Sequence, residues 1–359
     1  MLAILAFLTA GAALGFVTSI PAGAASDDVR VNDIQVVGTH NSYHVEPTPQ
    51  VLAVITKVDP ELANLAVTHP PLSEQLSNES VRQVELDVFA DPAGTLWRPM
   101  GTKGFKVFHM EQIDEGSNCA VFVECLRQLK RWSVAHPHHL PVFVLVQPDA
   151  TVTLLGPPNP ILITTALLDA VDAEIRSVMH PRDLVVPDQV RGHQPSVDAA
   201  VRANRWPTLA ASRGKFVFLL DQYRDLYVVG HPNLEGRVMF PASTPGQPDA
   251  AFVEFPDPRA PEAAVMPELV REGYLVRTRA DAAVTTPTSG DVTQRDAAFA
   301  SGAQIVSTDY PVPGAAARWG SDYVARLPGG VPARCNPVRA SRRCTARLLA
   351  DNARAARRH

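Results

Sequence analysis

Several common signatures are missing from this 359-residue chain. No Gly-x-Gly-x-x-Gly follows its first apolar run, which argues against a doubly wound dinucleotide-binding sheet. No Cys-x-x-Cys occurs among its four cysteines, so zinc-site and redox readings lose their usual basis. Basic residues are not in surplus: 33 Lys and Arg against 37 Asp and Glu leave a net charge of −4, which offers no electrostatic footprint for nucleic acid. Past the N-terminal segment, no run is apolar enough to span a bilayer. There are no internal repeats and no low-complexity linkers.

What is present begins with a targeting pattern. Leu2 to Ile20 is small and apolar, and Ala22-Gly23-Ala24 has the small-x-small form of a signal cleavage site. A basic n-region is missing, and a retained membrane anchor is the alternative. Residues 1–24 are therefore expected to be a signal peptide, residues 25–359 the mature chain, and the protein to be secreted. In an exported chain an even number of cysteines points to disulfides. Local pairing, Cys119–Cys125 and Cys335–Cys344, is the economical choice among three connectivities and gives a disulfide-bearing C-terminal tail. The basic residues from Arg339 to Arg358 read as a solvated terminus rather than a lipid contact.

Short apolar runs bounded by turn residues mark eight candidate strands, near residues 33–38, 83–89, 106–109, 141–147, 215–221, 237–240, 274–278 and 303–307. Most are continuous rather than alternating, as strands buried on both faces are. Helical stretches separate most of them, at residues 121–132, 162–178, 266–272 and 291–301, the last closed by Gly302 as a C-cap. Eight strands alternating with helices predict a (β/α)₈ barrel. Two irregular regions interrupt the pattern. Residues 45–71 are proline-rich and contain an apolar stretch, 51–58, expected to form a lid helix. Residues 236–267 are proline-rich and read as a surface excursion.

In a parallel barrel the chemistry sits at the C-terminal strand ends. Those ends offer His40 and Asn41, then Glu85 and Asp87, His109, Gln147 and Asp149, Asp221, Arg277 and Arg279, and Thr308 and Asp309. Glu85 and Asp87 lie two apart and share a face. Two like charges facing a barrel interior need a compensating cation. Oxygen donors from this pair, with Asn41 and Gln147, suit a hard ion, Ca²⁺ ahead of Mg²⁺. His40 and His109 could then divide general base and general acid between them. Arg277 and Arg279 alternate on one strand, either as a phosphate clamp or as salt bridges to inward carboxylates. With Asp309 they are the candidate substrate-binding residues. His136, His138 and His139 precede a strand and so belong to the opposite face. His44 and His69 lie in the long first loop, within reach of the pocket.

The stretches Gly38-Thr39-His40-Asn41-Ser42-Tyr43, Glu85-Leu86-Asp87, Phe105-Lys106-Val107-Phe108-His109, Val276-Arg277-Thr278-Arg279-Ala280-Asp281 and residues 301–311 together resemble the phosphatidylinositol-specific phospholipase C superfamily, most closely its secreted, calcium-dependent bacterial and fungal branch. The resemblance runs from about Val31 to Pro311. It implies a barrel phosphodiesterase in which the inositol 2-hydroxyl attacks phosphorus, releasing diacylglycerol and an inositol cyclic phosphate. By motif position His40 and His109 match the catalytic histidines, and Asn41, Glu85 and Asp87 the calcium ligands. The family usually has a glutamate where this chain has Gln147, which lowers the charge of the ligand shell and with it the expected calcium affinity. The resulting expectation is a hydrolase of the phospholipase C type acting on a phospholipid or inositol phosphodiester, as a monomer with transient membrane-surface contact and no nucleic-acid partner. A glycerophosphodiesterase- or sphingomyelinase-like enzyme and a degenerate headgroup-binding barrel are the alternatives.

Overall fold

The computed structural model describes residues 28–150, 161–282 and 285–351. The expected signal segment, residues 1–24, and the end of the basic tail lie outside them.

Eight parallel strands form the ring: β1 Ile34–Thr39, β2 Gln83–Asp91, β3 Val142–Asp149, β4 Phe216–Leu220, β5 Phe240–Pro241, β6 Phe252–Phe255, β7 Leu275–Arg279 and β8 Ile305–Thr308. Each pairs with its neighbour in chain order, and β8 returns to β1 through Val36↔Ile305 to Thr39↔Thr308. The join between β5 and β6 is made by a single bridge, Ala242↔Phe252. This is the (β/α)₈ barrel that the strand count implied. Val142 to Val146 and Phe216 to Leu220 are fully buried, as staves packed on both faces must be.

The identity of two staves differs from the sequence reading. The run near residues 106–109 is not in the ring. Its strand, Gly104–Val107, lies antiparallel on the far half of β2, from Val88↔Val107 to Asp91↔Gly104. The arm is held by Lys106, whose Nζ donates to Asp91 Oδ2 at 2.7 Å with both side chains fully buried. The missing stave is β6, inside the proline-rich segment expected to be a surface excursion. It is only four residues long and Pro256 ends it, so its composition reads as loop, yet Phe252 and Val253 are core residues. The expected strand near 237–240 is reduced to the two residues of β5, Phe240 and Pro241.

Helices Phe122–Ala135, Thr165–Val178, Met266–Glu272 and Thr293–Ala300 occupy the expected intervals. Thr164 caps the second by accepting from Leu167 N, and Gly302 follows the last with φ +80°, a conformation that glycine tolerates best. The stretch 51–58 is helical within Pro49–Val58, and none of its residues is buried. The cysteines pair locally as expected, Cys119 with Cys125 and Cys335 with Cys344. Among the described residues no helix is long and apolar enough to cross a membrane.

Candidate active site at the barrel mouth

His40 is the first residue beyond β1, and its N–H donates to Thr308 O at 3.1 Å, which fixes it against β8. Asn41 adopts φ +45°, turning the chain so that Ser42 N reaches Glu85 O at 3.1 Å while Ser42 Oγ accepts from Glu85 N at 2.8 Å. The ends of β1 and β8 are thereby tied to each other and to the first half of β2. Asp309, next after β8, places Oδ1 3.0 Å from His40 Nδ1, and Arg279 Nη2 lies 3.3 Å from the same nitrogen. Arg279 is also 3.8 Å from Asp309 Oδ2, and His69 Nε2 is 3.9 Å from Asp309 Oδ1. Burial, then the Arg279 charge, hold the His40 imidazole below its ordinary value. Burial works to raise the Asp309 carboxyl, but the His40, His69 and Arg279 contacts outweigh it and keep the group ionised.

A second cluster fills the middle of the mouth. Glu85 and Asp87 are both buried and point inward. Arg277 on β7 reaches Glu85 Oε2 at 2.5 Å and lies 3.6 Å from Glu254 Oε1, its cross-strand partner on β6. Asp87 sits in register with Gln147 and accepts from Tyr43 Oη at 2.7 Å. Its other oxygen, Oδ1, is buried without a partner. Burial, followed by the charges of Glu85, Asp149 and Asp221, pushes the Asp87 carboxyl well up. Gln147 Nε2 donates to Asp149 Oδ2 at 3.1 Å, leaving the amide oxygen outside that bond. Hard oxygen donors around an unsatisfied buried carboxylate fit a Ca²⁺-type ion.

The third element is a histidine pair sharing one acid. His109 follows the antiparallel arm rather than a stave, and the turn to Asp114 brings its Nδ1 2.9 Å from Asp114 Oδ2. His44 Nε2 is 2.7 Å from the same oxygen, and its Nδ1 is 2.6 Å from Val67 O. Burial opposes ionisation of Asp114, but the His109 and His44 hydrogen bonds win and hold its carboxyl low. Beside His109, a cleft of about 460 Å³ is lined by Trp97, Met100, Val107 and Phe108 among others, with Phe108 stacked on Phe89 at 4.2 Å.

The structure thus gathers His40, Arg279 and Asp309 in one group, Glu85, Asp87, Arg277 and Gln147 in a second, and His109 in a third. Arg277 is engaged by carboxylates, whereas Arg279 faces the histidine. His136 and His139 pack on Trp132 below the ring, away from the mouth. Asp114 and Glu254 had no place in the sequence reading. Glu254 lies on the unrecognised stave, and Asp114 is visible only as an acid five residues after His109, a spacing that gains meaning once the intervening turn is known.

A sequence profile described as phosphoinositide phospholipase C, Ca²⁺-dependent, matches residues 29–337. A search among curated proteins found no significant match. Among solved structures, a Ca²⁺-dependent phosphatidylinositol-specific phospholipase C from Streptomyces antibioticus superposes with a TM-score of 0.52 at 17% identity, covering 79% of this chain and 95% of that one. A calcium-dependent phosphoinositol-specific phospholipase C from a Gram-negative Pseudomonas species gives 0.55 at 15% identity, covering 87% and 97%. At such identities the superpositions establish a shared fold, while the profile spans most of the chain and marks a phosphodiesterase. The chain belongs to the Ca²⁺-dependent phosphoinositide phospholipase C family.

Proposed function

We propose that the barrel mouth cleaves a phosphatidylinositol-type phosphodiester with Ca²⁺ assistance, His40 serving as general base and His109 as general acid. The observation that carries this reading is the His40–Asp309–Arg279 group. Asp309 accepts from Nδ1–H at 3.0 Å and so selects the tautomer whose Nε2 is a free acceptor. Burial and Arg279 keep the ring neutral, which is the state a base needs.

His40 Nε2 takes the proton of the inositol hydroxyl next to the phosphate. The freed oxygen bonds to phosphorus, and the phosphorus–oxygen bond to the glycerol breaks. His109, oriented by Asp114, gives its proton to the departing oxygen. Diacylglycerol and a cyclic phosphate result, and water attacking with the two histidines in exchanged roles opens the ring. Arg279 offers guanidinium N–H groups to the phosphate oxygens. Asn41, Glu85, Asp87 and Gln147 are the residues that would hold Ca²⁺, with the unpartnered Asp87 Oδ1 as the anchor. When bound, the ion supplies positive charge at the phosphate and lowers the pKa of a coordinated hydroxyl. Arg277 already neutralises part of this acidic cluster, which limits the charge left for the ion.

The cleft beside His109, apolar along Trp97, Met100, Val107 and Phe108 and polar at Arg98, Glu115 and Ser117, suits the glycerol side of the lipid. Helix Pro49–Val58, on the loop after β1, exposes Val51, Val54 and Val58, and Met100 is exposed on the loop after β2. Both loops rise from the mouth end, and this reading has them touch the membrane transiently while the enzyme works as an exported monomer. Turnover of phosphatidylinositol vesicles, followed by ³¹P NMR, tests the proposal. A cyclic phosphate should form, and both excess EDTA and His40→Ala should abolish it. Full activity in chelator would remove the metal from the mechanism, and an active His40→Ala would remove the base.

A further inference from the structure

His44 is buried in a geometry that the proposed reaction does not explain. Its Nδ1 is 2.6 Å from the Val67 carbonyl oxygen, so that nitrogen carries the hydrogen. The in-plane electron pair of Nε2 would then point at Asp114 Oδ2, 2.7 Å away. Two acceptors cannot face each other at that distance, so a proton joins them here; a metal ion replacing it, about 2.0 Å from each atom, would spread the pair to about 3.3 Å. The His109 Nδ1 converges on the same carboxylate oxygen at 2.9 Å. The three ligand atoms lie within 4.8 Å of one another, and Asp114 Oδ1 is buried with no partner.

We propose that His44, His109 and Asp114 form a second cation site, separate from the carboxylate cluster, which takes Zn²⁺ or a similar borderline transition metal and arrests turnover when loaded. Two imidazole nitrogens and one carboxylate are a donor set that Ca²⁺, which takes six to eight oxygens, does not favour. Three protein ligands with one open position are a common zinc arrangement. The support that orients metal-bound histidines is in place, because the Val67 carbonyl holds the far nitrogen of His44. Backbone bonds fix the other two ligands: Met110 N donates to Asp114 O at 3.0 Å and Asp114 N to Met110 O at 2.9 Å. The His109 side chain, 28% exposed, leaves the site open towards the mouth. On binding, the metal displaces the protons on His44 Nε2 and His109 Nδ1 into solvent. His109 then stays a neutral ligand and lacks the acidity of an imidazolium. This arrest rests on the acid role proposed above, whereas the site itself does not.

Co²⁺ serves as the spectroscopic probe on the full chain, in excess Ca²⁺. One equivalent should bind and give the visible absorption of a low-coordinate ion with nitrogen ligands. His44→Gln and the more exposed His109→Asn should each weaken it at least about tenfold, and His40→Asn should leave it intact, with thermal melting reporting that each variant folds. No band in the wild type, wild-type affinity in either ligand variant, or displacement by Ca²⁺ would overturn the site without touching the proposed reaction. Stoichiometric Zn²⁺ binding with undiminished phosphodiester turnover would overturn the arrest and count against His109 as the acid.

Discussion

Replacing Arg279 by Gln should move the acidic edge of the pH profile upward. Arg279 Nη2 lies 3.3 Å from His40 Nδ1, and a unit charge at that distance opposes protonation by about 1.3 kcal/mol at the dielectric of water and about 5 kcal/mol at an effective constant of 20. Both side chains are 23% exposed, so solvent screening favours the lower end. Removing Arg279 also frees Asp309 to attract the proton on His40, an effect of the same sign. The His40 pKa should therefore rise, protonation becoming easier by about 1.3 kcal/mol at the water-like limit. A base with a raised pKa is protonated, and inactive, at a higher pH. The acidic limb of kcat/KM against pH for a soluble inositol phosphodiester reports the free enzyme's base, and it should shift towards neutrality with it. Loss of a phosphate contact lowers the whole curve without moving the limb, so the two roles of Arg279 separate. Arg279→Lys, which restores charge, should return the limb most of the way. A limb that stays in place or moves to lower pH in Arg279→Gln refutes the reasoning.

Lys106→Met removes the partner of a fully buried carboxylate, and urea denaturation should show about 3–5 kcal/mol of lost stability. Gln147→Glu adds a carboxylate in register with Asp87 and should tighten Ca²⁺ binding roughly tenfold, about 1.4 kcal/mol by calorimetry. Unchanged affinity there would separate Gln147 from the metal. Paired Val54→Asp and Val58→Asp substitutions should weaken sedimentation with phospholipid vesicles by at least roughly tenfold, since each valine leaving a membrane surface forfeits about 1.5 kcal/mol. Turnover of a soluble phosphodiester should be unaffected by that pair.

The architecture was legible because buried parallel staves write themselves as continuous β-branched and aromatic runs. Residues 142–146 and 216–220 could hardly be anything else. The strand count came out right through two opposite errors. Phe105, Val107 and Phe108 form an apolar run because they cover the far half of β2 and build an aromatic cluster, which composition does not distinguish from a stave. Phe252 to Phe255 is a stave whose apolar face is two residues deep, and flanking prolines hid it. The strand-end rule brought out His40, Arg279 and Asp309, at or just beyond the ends of β1, β7 and β8, because it depends only on where a run stops, whereas Glu85 and Asp87 lie inside β2 and stood out by their shared face. His44 and Asp114 escaped it. Their proximity is created by a loop returning from residue 67 and a turn at residues 110–114, and loop closure leaves no periodic trace in a sequence.

The thin seam between β5 and β6 has a consequence for how the ring breathes. Pro241 cannot donate a hydrogen bond, Ala242 N turns to Leu220 O of β4 at 2.8 Å, and the junction with β6 depends on Ser243 N to Phe252 O at 3.0 Å. The opposite arc, from β7 through β8, β1 and β2 to β3, is joined by longer ladders except at β1–β2, where the single pair Gly38↔Gln83 is reinforced by Arg82 N to Val37 O at 2.9 Å and Ser42 N to Glu85 O at 3.1 Å. Transient opening, which follows the weakest cooperative unit, will unzip the cylinder at this seam first. The amide of Ser243 should exchange with deuterium ahead of those in β2 and β3. His40, Asp309, Arg279 and the Glu85–Asp87 pair ride on the unopened arc, so the chain can flex as a split ring while its reactive groups stay in register.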